Sequence, residues 1–116
     1  MSPVTHIVAF KFKPKTSAED KAGLYKAMMR LKDACKKEDG KPYILSVKGG
    51  REQSKEKFNR GLQVVFVAEF ASEEDLDYYV SHDKAHHAFV HRWALEGVVE
   101  EGLVLDFKEG WEDEDE

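Results

Sequence analysis

Four consecutive apolar residues, Val64-Val65-Phe66-Val67, sit inside a segment that otherwise alternates, and they limit the fold more than any other feature of the chain. From Gly61 to Phe70 the alternation sets Leu62, Val64, Phe66, Ala68 and Phe70 against Gln63, Val65, Val67 and Glu69, the two faces of a strand. Residues 4 to 13 repeat the pattern, with His6, Val8, Phe10 and Phe12 opposed to Thr5, Ile7, Ala9, Lys11 and Lys13. Both strands are apolar on both faces in their central residues. Such a sheet needs cover on two sides, because an apolar face left in water is costly.

The intervening segments supply one cover. Thr16-Ser17-Ala18-Glu19-Asp20 offers two overlapping capping boxes, Thr16 with Glu19 or Ser17 with Asp20, and so predicts a helix start. Leu24, Met28, Leu31 and Cys35 then recur at helical spacing, and Gly40 lies just beyond the basic end at Lys36 and Lys37. Pro42 to Lys48 reads as a second strand with Tyr43, Leu45 and Val47 on one face, stopped by Gly49-Gly50. Ser72 followed by Glu73, Glu74 and Asp75 opens a second helical region, with a break expected near Ser81 to Asp83, where Asp83 can cap a new segment. Leu103 to Phe107 forms a short last strand.

The order β-α-β-β-α-β is that of a ferredoxin-like α+β domain over residues 1–108, followed by an acidic C-terminal tail over 109–116 that is expected to be solvated, with the run from Glu112 dispensable for folding. Two helices cover only one sheet face. The economical cover for the other is a second copy of the chain, giving a homodimer built as a dimeric α+β barrel.

Charge and cysteine content narrow the partners. Of the 23 acidic residues, Glu112 to Glu116 account for five, which leaves 18 against 18 Lys and Arg. The folded body is thus near neutral, with no electrostatic case for nucleic acid or an anionic membrane. Lys48, Arg51, Lys55, Lys57 and Arg60 cluster but are interrupted by Glu52 and Glu56, the pattern of a solvated loop. Cys35 is the only cysteine, so neither an intramolecular disulfide nor a cysteine-based metal cluster can form. With no signal-like apolar core at the N-terminus and no run long enough to span a bilayer, a cytoplasmic location is expected.

Four of the five histidines fall between Tyr78 and Trp93. Helical phase puts His86, Phe89, Val90 and Trp93 on one apolar stripe, while His87 turns about 100° away, toward Asp83 and His91. His86 is predicted to point inward and His87 outward. A partly desolvated imidazole stays neutral and can act as a base near neutral pH, although a buried histidine bonded to a backbone carbonyl is equally a structural device.

Thr5-His6-Ile7-Val8 leading into Phe10-Lys11-Phe12-Lys13, together with Asp83-Lys84-Ala85-His86 followed by Phe89, resembles the stress-responsive A/B barrel (Dabb) domain family, with Lys84 where a proline is usual. The family includes plant polyketide cyclases of the olivetolic acid cyclase type. That resemblance implies a helix histidine, here His86, as base in an aldol cyclisation, and a nearby tyrosine that orients the substrate. Tyr79 stands seven residues before His86 rather than six, and Val80 occupies the expected place. His6 matches a first-strand histidine that is common across the family.

Three readings follow. In the first, a pocket for a small hydrophobic or polyketide-like molecule is lined by His6, Val8, Phe10, Val64, Phe66, Val80, Phe89, Val90 and Trp93, with His86 and Tyr79 as the candidate catalytic pair and no cofactor or metal. In the second, the same residues are core of a non-enzymatic stress-associated protein. The third uses His82 and His86, at i and i+4, with His6 to hold a divalent metal.

Overall fold

Strand β1 (Val4–Phe12) is the centre of the molecule. In the computed structural model, which describes residues 3–111, it pairs antiparallel on one side with β3 (Val64–Phe70) and on the other with β4 (Val99–Lys108). Strand β2 (Ile44–Arg51) adds to β3, giving one four-stranded sheet in the order β2-β3-β1-β4. Helix α1 (Ala18–Ala34) connects β1 to β2, and α2 (Glu73–Ser81) with α3 (Lys84–Phe89) lies between β3 and β4. This is the expected βαββαβ order.

Register decides which residues share a face. Val8 lies opposite Phe66 and Phe10 opposite Val64, so the inward residues of β1 and β3 meet. They close on Leu24, Met28 and Leu31 of α1 and on Leu76, Tyr79 and Phe89 of the second helical region, all buried. Complete burial of side chains of this kind stabilises by about 1.5–3 kcal/mol each. On the opposite face Ile7 stands between Val67 and Leu105, and Ala9 between Val65 and Leu103. No described helix lies on that side, and Leu103, Leu105 and Phe107 are 40%, 51% and 49% exposed there.

The helix ends follow from local chemistry. Of the two capping boxes, Ser17 is the one used, its hydroxyl accepting from the Asp20 N–H at 3.0 Å. Ser72 caps α2 in the same way through the Asp75 N–H at 3.1 Å. The break falls where expected, with His82 closing α2 and Asp83 capping α3. Beyond Phe89 the chain does not continue as an α-helix but widens into a π-helical segment, Val90–Leu95, which shifts the stripe from Val90 to Trp93. Trp93 packs across α1 at Gly23, where an added Cβ would lie 2.7 Å from the indole.

Three expectations are corrected. Strand β2 does not hold Tyr43, Leu45 and Val47 on one face: the register shifts between Ile44 and Ser46, so Ile44 is buried and Leu45 is 53% exposed. Gly49 and Gly50 do not stop that strand, which runs to Arg51; Gly49 lies where a Cβ would strike the Phe66 ring at 2.5 Å. Strand β3 begins at Val64 rather than Gly61, because Gly61 adopts a positive φ of 83° in the preceding turn. The acidic run Glu112 to Glu116 lies outside the described residues. No described helix is long and apolar enough to cross a membrane.

Candidate functional site

The break between α2 and α3 creates the site. Asp83, only 1% exposed, accepts the His86 backbone N–H on one carboxylate oxygen at 3.0 Å and the Tyr43 hydroxyl on the other at 2.6 Å. It therefore starts α3 and ties it to the strand edge at Tyr43. Cys35, fully buried, sits beside this carboxylate; burial and the neighbouring negative charge push its thiol well above the ordinary range. Burial and the bond to Asp83 likewise raise Tyr43.

Held this way, His86 turns back over the preceding helix. Its Nδ1 lies 2.9 Å from the Tyr79 carbonyl oxygen, and its ring stacks on the Tyr79 ring with centroids 3.8 Å apart at 25°. A carbonyl only accepts, so Nδ1 carries the hydrogen, and in the neutral ring the lone pair is on Nε2. Desolvation holds His86 below the ordinary imidazole range, against the opposing pull of the Tyr79 carbonyl. His87 points the other way. Exposed, it donates from Nε2 to the Val80 carbonyl at 2.9 Å.

Tyr79 also meets His6, 4% exposed, which is edge-on to the tyrosine ring at 5.6 Å and to Phe70 at 6.0 Å. Its Nδ1 donates to Asp106 at 2.5 Å. The three rings form a file, His6, Tyr79, His86, running from sheet to helix. Tyr79 is 1% exposed, and burial raises its hydroxyl above the ordinary phenol range. The helix-facing side chains of β4 beside His6, Asp106 and Val104, are exposed, the latter at 58%. The helices thus leave the β4 part of that face uncovered.

Of the residues assigned to a pocket from sequence, the structure brings His6, Tyr79 and His86 together. Val8, Phe10, Val64, Phe66 and Phe89 are packed in the core, Val90 and Trp93 are partly buried against it, and Val80 is half exposed. Asp106 and Tyr43 were not singled out from sequence, yet they fix the two ends of the file. The signal for Asp106 was one carboxylate within the apolar run Leu103-Val104-Leu105-Asp106-Phe107. Among the described residues, no three His, Cys, Asp or Glu side chains converge on a point that could hold a metal ion.

The family model described as the stress responsive A/B barrel domain (Dabb) matches residues 4–109. The chain belongs to the Dabb family. This Dabb domain is also similar in fold to several solved structures. A crystal structure of an Arabidopsis thaliana protein superposes with a TM-score of 0.78 at 24% identity, covering 95% of this chain and 98% of that one. Hydroxynitrile lyase from Passiflora edulis gives 0.75 at 19% identity, covering 96% and 98%. A Dabb family protein with a ferredoxin-like fold from Mesorhizobium loti gives 0.69 at 20% identity, covering 92% and 96%. No curated protein sequence matches the chain significantly.

Proposed function

We propose that this Dabb domain acts as a homodimer that binds a small apolar carbonyl compound beside the His6–Tyr79–His86 file and uses His86 as general base. The observation that carries the proposal is the state of His86: Nδ1–H is committed to the Tyr79 carbonyl, and burial favours the neutral ring, so Nε2 is a free base. Nε2 takes a proton from the carbon next to a carbonyl, and the C–H electron pair becomes the enolate double bond as the carbonyl electrons move to oxygen. The enolate carbon then attacks a second carbonyl in the same molecule, forming a C–C bond. The imidazolium returns its proton to the new alkoxide. The face of Tyr79 stacked on the ring favours the imidazolium while it exists.

The dimer rests on the apolar outer face of the sheet, and dimeric ferredoxin-like proteins from Thermobifida fusca and Bacteroides fragilis are among the structures of similar fold. The hydroxynitrile lyase of similar fold supports the architecture as a host for lyase chemistry. A second reading, a stress-associated protein without turnover, is favoured by the burial of Val8, Phe10, Val64, Phe66 and Phe89 in the core.

The test measures ligand binding and product formation with a panel of phenolic and linear polyketide-like compounds on wild type, His86→Gln and His87→Gln. His86→Gln should abolish turnover and leave affinity within about tenfold, or ~1.4 kcal/mol; His87→Gln should change neither. Binding without product across the panel favours the second reading, and identical behaviour of the two variants removes His86 as base.

A further inference from the structure

Six residues along β1 from His6, about 20 Å away at the strand rise, a cleft opens between α1 and the ends of β2 and β3. Its volume is about 590 Å³, within the range of roughly 300–1,000 Å³ typical of small-molecule sites. The floor is apolar: Phe12 and Val64, both buried, the Ala22 methyl and the Tyr25 ring. Tyr25 is fixed as a wall, its hydroxyl donating to the Gly49 carbonyl at 3.1 Å and its ring 5.6 Å from Phe66.

The rim has one electrostatic sign. Lys21 and Lys26 come from α1 and Arg51 from the end of β2, and no Asp or Glu is among the lining residues. Among the described residues these three cations make no ion pair. Gln63 adds a donor: its side-chain oxygen is used by the Phe12 N–H at 2.9 Å, which leaves its NH₂ available. The adjoining hollow brings Lys13 and Lys15 to the same end, and the carboxylate there, Glu52, is engaged by the Ser54 N–H and the Asn59 amide.

We infer that this cleft binds an amphipathic carboxylate, with its apolar body against Phe12, Ala22, Tyr25 and Val64 and its carboxylate at Lys21 and Arg51. Charge complementarity selects the anion, since every charged side chain lining the cleft is a cation and Arg offers paired donors to a carboxylate. The apolar floor selects against a bare inorganic anion, which would leave that surface wet. The site is independent of the chemistry proposed at His86.

Calorimetric titration of the full chain with octanoate, 1-octanol and inorganic phosphate tests it. Octanoate should bind below about 1 mM and at least about tenfold more tightly than 1-octanol or phosphate. The double variant Lys21→Gln/Arg51→Gln should bring octanoate down to the 1-octanol level, Ala22→Phe should abolish octanoate binding by filling the floor, and His86→Gln should leave it unchanged. Circular dichroism melting checks that each variant is folded; Lys21→Gln/Arg51→Gln alters only side chains at the rim and decides the matter if Ala22→Phe does not fold. No octanoate binding below about 1 mM, equal affinity for octanoate and 1-octanol, equal affinity for phosphate, or an unchanged double variant would each overturn the assignment. So would loss of binding in His86→Gln, which would place the ligand at the other end of β1.

Discussion

The His86 ring lies face to face with the Tyr79 ring, 3.8 Å between centroids, while its Nδ1 donates to the backbone carbonyl of that same tyrosine. Ring and main chain of one residue thereby fix both the plane and the tautomer of the other. His87 is bonded through its other nitrogen, Nε2, to the Val80 carbonyl. Two adjacent histidines therefore hold opposite tautomers. Two-bond ¹H–¹⁵N correlation spectra near pH 8 should show Nδ1–H for His86 and a predominance of Nε2–H for His87, with the His86 proton the slower to exchange because its ring is the more buried. An Nε2–H tautomer at His86 would remove the lone pair assignment on which the base depends.

Burial of His86 also links stability to pH. Its folded pKa is lowered from the ordinary 6.5, chiefly by desolvation, so the unfolded chain binds the proton more readily than the folded one. The contribution is present in full above about pH 6.5 and is lost as pH falls from there through the folded value. Urea midpoints measured between pH 8 and pH 5 should therefore fall on acidification, and His86→Gln should flatten that slope. A variant whose midpoint declines as steeply as wild type would assign the acid sensitivity to other groups.

Much of this arrangement is legible in the sequence, and the exceptions have physical causes. The inward turn of His86 follows from its phase with Phe89, a local property of one helical turn, and Asp83 announces itself as a cap. The phase of β2 was not legible: Tyr43-Ile44-Leu45 is apolar at three successive positions, so alternation cannot choose which one a bulge expels, and the chain expels Leu45. Gly49 carries a stop signal in sequence, yet it stays in the strand because Phe66 takes the space a Cβ would need. The His6–Asp106 pair and the Lys21–Arg51 rim join residues 100 and 30 positions apart, and only strand register and helix placement bring them together.

Asp83 should be the most sensitive polar position in the chain. Asp83→Ala removes the cap of α3, costing about 1 kcal/mol, and strips the Tyr43 hydroxyl of its partner, costing about 1–3 kcal/mol more. Asp83→Asn keeps an oxygen for the His86 N–H and the volume of the side chain, so it should lose less than half as much. Denaturant unfolding of both variants checks the order. A loss below about 0.5 kcal/mol for Asp83→Ala would mean that α3 does not depend on its cap.

The outer face of the sheet yields the last expectation. Ile7, between Val67 and Leu105, is the middle of an apolar strip that continues through Leu103 and Phe107, and among the described residues no element of the same chain covers it. Leu105 is 51% exposed in the protomer and lies outside the hydrophobic core, so Leu105→Lys should leave the protomer folded. If a second copy closes on this face, each dimer acquires two buried unpaired charges. The cost, about 3 kcal/mol or more, raises the dissociation constant by roughly 100-fold. Sedimentation equilibrium at micromolar concentration should then show wild type as a dimer and Leu105→Lys shifted toward the 13.3 kDa protomer, with the far-ultraviolet spectrum unchanged. A wild-type chain that sediments as the protomer would mean the strip is left open to solvent, and a variant that stays dimeric would place the interface elsewhere.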